Sequence, residues 1–140
     1  MPSNPVVLEI HVMLSDFSVH PTIPASDLAR ARRFYEEVLG FKPEQVTSGG
    51  VIYRTRGSFL VLFASSNAGT NEATACGFQV SDLPAVVAEL RGRGVRFEEY
   101  DMPNFKTVDG ILTTPDGPSA WFKDTEGNVI GLLEPSHPID

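Results

Sequence analysis

The sequence is poor in cysteine, in positive charge and in long apolar runs, and each shortage excludes a class of protein. Cys76 is the one cysteine among 140 residues, which excludes an internal disulfide and a cysteine-rich zinc module. Lysine and arginine total 11 against 18 for aspartate and glutamate, a net charge of −7, whereas nucleic-acid binding depends on clustered cations. The longest apolar run, Phe59–Ala64, is far shorter than the roughly 20 residues that span a bilayer.

What the sequence does contain suits one compact domain, or two very small ones that share a core. A chain of 140 residues with 41% hydrophobic content can bury a core of that size. The N-terminus lacks the basic flank, apolar run and small-residue cleavage site of a secretory signal. We therefore expect a soluble, cytoplasmic protein with neither a nucleic-acid nor a membrane partner.

The chain contains an internal repeat. Ser26–Leu28 reads Ser-Asp-Leu and recurs as Ser81–Leu83, 55 positions later. Each copy follows a segment with the composition of a strand and precedes apolar residues spaced three and four apart, the pattern of an amphipathic helix. The serines are predicted N-caps, and Gly40 and Gly92 are predicted C-caps.

A hairpin pattern follows each predicted helix. In the first half Val51–Thr55 and Phe59–Ala64 flank a short turn with glycine, and in the second half Ala120–Lys123 and Val129–Leu133 do the same. When the two halves are aligned on the glycines of these turns, equivalent residues are 70 positions apart instead of 55. The second half therefore carries an insert before its hairpin. The sequence predicts an α+β fold in which a βαβββ unit occurs twice, joined through a linker at Ser65–Ala73.

Three stretches, Thr22–Leu28, Arg33–Phe41 and Ala120–Ile130, resemble the vicinal oxygen chelate superfamily. It includes glyoxalase I, bleomycin-resistance and fosfomycin-resistance proteins, and extradiol dioxygenases. The resemblance implies paired βαβββ modules whose mixed β-sheets form a cup, often completed by a homodimer partner, and we expect a homodimer here. The implied division is an N-terminal extension 1–16, one domain 17–135 with modules 17–66 and 74–135, and a tail 136–140.

Metal-using members of that superfamily line the cup with four ligands, one from the first and one from the last strand of each module. The resemblance places these positions at His20, Val61, Ala75 and Gly131. A divalent metal normally needs three or more protein ligands, so we expect no metal cofactor. The alternative is a non-standard site that draws on His11, His20 and His137.

Strand alternation then indicates which side chains face the cup. His20 is a ligand contact, a general acid or base, or a solvated remnant of the metal site. The insert 100–110 is a lid or a surface excursion of the second sheet, and Cys76 is expected to be a buried structural thiol. The predicted ligand-binding residues are His20, Thr22, Phe59, Phe63, Gln79, Tyr100, Lys106 and Trp121.

Three functions are compatible with this pattern. The first is a metal-independent protein that binds a small organic ligand in an apolar cup. The second is a lyase, isomerase or dioxygenase-type enzyme of the same superfamily, with His20 as its catalytic acid or base or as a ligand of a non-standard metal site. The third is a structural or regulatory dimer without a ligand.

Overall fold

The computed structural model describes residues 12–138, and the predicted extension 1–16 and tail 136–140 fall largely or partly outside that range. His11, one candidate ligand of a non-standard metal site, lies outside it as well. None of the helices within 12–138 has the length and apolar content to cross a membrane.

The strands are β1 Thr22–Ala25, β2 Pro43–Val46, β3 Gly50–Thr55, β4 Ser58–Ala64, β5 Thr74–Gln79, β6 Asp101–Met102, β7 Phe105–Lys106, β8 Ser119–Lys123 and β9 Val129–Leu133. The helices are α1 Leu28–Arg33, continued by a π-helical turn Phe34–Val38, and α2 Leu83–Gly92.

The strands form two similar sheets and a separate hairpin. The first module, β1 to β4 with α1, has the strand order β1-β4-β3-β2, and the second module, β5 to β9 with α2, has the order β5-β9-β8. In each sheet the first strand runs parallel to the last one. Thr22 lies opposite Val61 and Gly77 lies opposite Gly131, which reproduces the repeat offsets of 55 and 70. The predicted α+β fold with βαβββ units is confirmed.

Each sheet buries one face against its helix, and the two cores are continuous. Ile23, Leu60 and Leu62 pack with residues of α1, while Phe122, Ile130 and Leu132 pack with residues of α2. Four half-buried residues contact both clusters, namely Phe34, Leu39, Cys76 and Phe78. The opposite faces of the sheets, here called the outer faces, carry exposed side chains.

The helix ends differ from the prediction by one or two residues. Asp27 and Asp82, rather than the preceding serines, are the N-caps, because both helices begin one residue later than the serine pattern suggests. Their carboxylates accept hydrogen bonds from the backbone N–H groups of Arg30 and Ala85. Gly92 is still helical, and Gly94 adopts the left-handed conformation after α2, with φ +93°.

The turn between β8 and β9 joins the two modules, and we call residues 124–128 the clasp. Its central residue, Glu126, has a fully buried side chain. The carboxylate accepts hydrogen bonds from Ser26 Oγ at 3.1 Å and from the Asp27 N–H at 2.8 Å, both at the start of α1. Arg30 adds a bidentate contact, with Nε at 2.8 Å and Nη2 at 3.1 Å. One carboxylate thus caps a helix of the other module, where negative charge is stabilised by the helix dipole.

The other clasp residues extend this junction. The Tyr35 hydroxyl donates to Asp124 Oδ2 at 2.8 Å, and Asn128 Nδ2 donates to the Pro24 carbonyl at 2.8 Å. Asp124 also accepts from the N–H groups of Glu126 and Asn128, so the turn holds its own shape. The linker contacts the clasp too, because the Gly69 N–H donates to Asn128 Oδ1 at 3.3 Å.

Replacing Glu126 by alanine should destabilise the chain by about 1.5 to 3 kcal/mol, because it removes the charged acceptor shared by Ser26, Asp27 and Arg30. The matched control is Glu44→Ala, which removes a carboxylate from an exposed pair with Arg54 and should cost less than about 0.5 kcal/mol. Urea denaturation followed by circular dichroism measures both values. An equal loss of unfolding free energy in the two variants would contradict the conclusion that Glu126 holds the two modules together.

Stability should also fall in acid through Glu126. Hydrogen bonds from Arg30, with further ones from Asp27, Thr125 and Ser26, lower the pKa of Glu126 to about 2. In the unfolded chain a glutamate has a pKa of about 4.3. The ionised Glu126 carboxylate therefore contributes its full stabilisation above about pH 4.3, and this stabilisation is lost as the pH falls through about 2. The difference in unfolding free energy between the wild type and Glu126→Gln should shrink across this window. Urea titrations from neutral pH down to about pH 2.5 test this, and a pH-independent difference would refute it.

Candidate functional site

On the outer face of the first sheet, His20 stacks on Phe59. The ring centroids are 4.2 Å apart and the planes differ by 23°. Thr22 is exposed two residues further on, opposite Val61 of β4, and Phe63 is 37% exposed. The structure therefore brings together the predicted ligand residues of the first module on one face.

On the outer face of the second sheet, three half-buried rings form a cluster, here called the aromatic trio. Trp121 contacts Tyr100 edge to face at 5.7 Å and Phe105 at 5.4 Å, and Tyr100 contacts Phe105 at 5.5 Å. Trp121 lies opposite Gly131, which in turn lies opposite Gly77, so all three are on the outer face. Burial and then the charge of Glu98 raise the pKa of Tyr100, so its hydroxyl remains a hydrogen-bond donor at neutral pH.

The insert forms the β6–β7 hairpin, which is separate from the second sheet and lies over Trp121. Asn104 occupies its tight turn with φ +62°, and Lys106 is exposed opposite Asp101. Two insert residues were predicted ligand contacts. Tyr100 lies in the aromatic trio, whereas Lys106 is exposed on the hairpin. Phe105, which the sequence did not single out, completes the trio.

The two ring groups remain apart within one chain. Among residues 12–138, ring contacts join His20 to Phe59 and Trp121 to its two neighbours, but none joins one group to the other. A groove of about 980 Å³ lies between the modules, lined by the segment before β1, the turn between β3 and β4, strand β5 and the segment after β9. Gln79 lines this groove together with Pro21 and Ser58, the sequence neighbours of His20 and Phe59.

The four positions that correspond to a metal site do not fit one. Val61 is a hydrocarbon side chain, and Ala75 lies at an irregularity where the register of β5 on β9 shifts. A Cβ added at Gly131 would lie 3.2 Å from Thr74 Cγ2 and 3.3 Å from Trp121 Nε1, so the indole fills the space in which a ligand side chain would extend. Residues 12–138 contain no group of three or more histidine, cysteine or carboxylate side chains arranged for a metal ion. His20 alone offers a ligand atom at these positions, which is too few.

Cys76 occupies the helix-facing side of β5, where it contacts both cores. Burial, and secondarily the charge of Asp124, raises the pKa of the thiol to about 11. The group is therefore protonated and weakly nucleophilic at neutral pH, as expected of a structural thiol.

Adding one methyl group at Gly131 should displace the indole. Because Trp121 is the one tryptophan of the chain, Gly131→Ala should shift its fluorescence emission and destabilise the fold by about 1 kcal/mol through overpacking. The control is Gly77→Ala on the neighbouring strand, where the nearest atom to an added Cβ is 3.9 Å away. Emission spectra and urea denaturation of both variants test this. The same emission and the same stability for the two variants would show that the indole does not fill the space beside Gly131.

Comparison with known proteins agrees with this architecture. The model of the glyoxalase/bleomycin resistance protein/dioxygenase superfamily matches residues 18–132. No curated protein sequence matches the chain. Among solved structures, the chain is similar to TnmS3, an antibiotic-binding protein from Streptomyces sp. CB03234. The two share 29% identity, the match covers 84% of this chain and 93% of that chain, and the TM-score is 0.58.

Two further structures share the fold at lower identity. A bleomycin-binding protein complexed with bleomycin is 20% identical, with 84% of this chain and 98% of that chain covered and a TM-score of 0.65. Lactoylglutathione lyase from Agrobacterium tumefaciens is 19% identical, with 84% and 92% covered and a TM-score of 0.61. Binding proteins and an enzyme thus have the same fold, so the fold does not choose between them. From the match over residues 18–132, the chain belongs to the glyoxalase/bleomycin resistance protein/dioxygenase superfamily.

Proposed function

We propose that this chain is a cytoplasmic, metal-independent binding protein for a small, flat, largely apolar organic molecule. The observation that carries the proposal is the aromatic trio beside Gly131. An indole occupies the space of a missing ligand side chain, so the position offers ring surface instead of a charge. Half-buried aromatic rings with polar groups at their edges are typical of small-molecule sites.

His20 fits a contact role in this proposal. Its imidazole lies against the hydrocarbon ring of Phe59, and the described residues supply no carboxylate that orients it through a hydrogen bond. A general base is usually oriented by such a partner. The alternative is an enzyme that uses His20 as its acid or base. It lacks the orienting carboxylate, although the chain shares its fold with a lyase.

The two ring groups would form one site if the protein is a homodimer. Each outer face leaves a large apolar side chain in contact with water, with Phe63 37% and Leu133 38% exposed, and Met102 of the β6–β7 hairpin is 51% exposed. An exposed apolar face is commonly an interface. Opposing the first sheet of one copy to the second sheet of another buries these side chains and places the pair His20–Phe59 across from the trio. In a two-fold dimer this arrangement creates two identical cups.

Antibiotics with aromatic groups are the probes to test, because TnmS3 is an antibiotic-binding protein and a bleomycin-binding protein shares the fold. Calorimetry with bleomycin and a panel of polycyclic aromatic antibiotics should detect binding that is unchanged by EDTA. Tyr100→Ala and Phe105→Ala should each weaken it by about 3- to 10-fold, the value of one aromatic contact. The control is Phe17→Ala, which removes an exposed ring from outside both ring groups.

Two results would refute the binding proposal. Loss of binding on removal of metal would point to a metal site. Turnover of any panel compound that disappears in His20→Ala would favour the enzyme. Analytical ultracentrifugation tests the dimer separately, and a monomer at micromolar concentration would refute the shared cup.

A further inference from the structure

The internal repeat relates the clasp to the turn between β3 and β4. The offset of 70 residues that aligns the two hairpins places Arg56 at the position of Glu126. The clasp has five residues between its strands, whereas the turn between β3 and β4 has two, Arg56 and Gly57. The first module therefore has a shorter turn, with an arginine in place of the carboxylate that joins the modules at the clasp.

The groove between the modules lies at this second junction. Arg56 lines it together with Ser81, which precedes α2 and corresponds to Ser26 before α1. At the first junction the Glu126 side chain bonds to Ser26 and Arg30. At the second junction about 980 Å³ is open, within the roughly 300–1,000 Å³ of small-molecule sites. The groove thus occupies the place that the repeat assigns to a second clasp.

Among the described residues, one cation and one carboxylate line this groove, and they come from different modules. Arg56 is exposed and makes no ion pair or hydrogen bond within residues 12–138. Glu134 follows β9 and is half-buried, and its Oε1 accepts a hydrogen bond from the Leu83 N–H at 2.7 Å. Its Oε2 has no hydrogen-bond partner within the same range. The groove therefore offers a guanidinium on one wall and a carboxylate oxygen on the other.

The floor between these two charges is apolar. Leu60 of β4, Phe78 of β5 and Val80 after it line the groove and pack with the cores beneath the helices. None of His20, Phe59 and the aromatic trio belongs to the lining. The groove is therefore a site distinct from the proposed cup, with its own apolar surface.

We propose that this groove binds a short peptide with free termini and apolar side chains. Its carboxylate pairs with Arg56, whose guanidinium offers two parallel donors, and its ammonium group pairs with Glu134 Oε2. Its side chains lie on Phe78 and Val80. A single amino acid carries both charges on one carbon and cannot bridge two walls that form no ion pair with each other. Each further residue separates the termini by about 3.3–3.6 Å.

Such a peptide joins the modules at this junction as the clasp joins them at the other one. Arg56 belongs to the first module and Glu134 follows the last strand of the second. The peptide contacts both charges only when the modules are packed together, so it stabilises the folded chain by mass action.

The test uses the dipeptide leucyl-phenylalanine as the probe. Its matched controls are the N-acetylated dipeptide, which has no ammonium group, and the dipeptide amide, which has no carboxylate. In ¹⁵N–¹H spectra of the whole chain, the millimolar dipeptide should shift the amides of residues 55–58, 77–81 and 134. Each matched control should bind about five- to tenfold more weakly, because it lacks one charged contact.

Two variants assign the charges. Arg56→Gln should weaken the dipeptide about five- to tenfold but leave the affinity for the dipeptide amide unchanged, because the amide lacks the group that Arg56 binds. Glu134→Gln should weaken the dipeptide equally but leave the affinity for the N-acetylated form unchanged. Its amide oxygen can still accept from the Leu83 N–H, so α2 keeps this cap. The control, Arg33→Gln, removes an exposed arginine of α1 and should change no affinity.

The thermal midpoint of each variant without peptide separates lost binding from lost folding. Equal affinities of the wild type for all three probes would refute recognition of the two termini. Amide shifts confined to other parts of the chain would refute the groove as the site. Dipeptide affinity that survives in both variants would refute the roles of Arg56 and Glu134.

Discussion

The buried Glu126 carboxylate determines how the two modules sit together. It comes from a turn of the second module, yet its hydrogen bonds go to the first turn of α1 and to Arg30. A carboxylate without these donors would be costly to bury. Phe34, Cys76 and Phe78 pack against both cores, so the modules share apolar contacts as well as this carboxylate.

The outer faces show how one fold can change chemistry through a few positions. Gly131 and Val61 stand where the superfamily resemblance places metal ligands, and the Trp121 indole covers the first of them. At these positions the chain presents hydrocarbon and indole surface in place of metal-ligating atoms, which suits the flat, apolar ligand proposed above. This change needs no alteration of the strands, because residues at the same register positions supply both kinds of surface.

Much of the fold can be predicted from periodicity, since the offsets of 55 and 70 residues reappear in the strand register. The misses concern interactions that local sequence does not encode. Ser26 reads as a helix cap, but its hydroxyl donates to a carboxylate 100 residues away. Arg30 donates to the same carboxylate, and no residue near it in the sequence points to that partner. The side of the sheet on which Trp121 lies, and the presence of Phe105 beside it, depend on pairings across an insert of irregular length.

Gly69 limits the ways in which two copies can associate. It adopts φ +72°, and a Cβ there would lie 2.5 Å from the Glu126 carbonyl oxygen, so the linker is fitted to the clasp of its own chain. Exchange of whole modules between copies, the domain swapping to which duplicated folds are prone, would have to release this segment and its bond to Asn128. Association of intact chains through their outer faces, as in the dimer proposed above, requires no such release, so the proposed shared cup needs only two chains that are already folded.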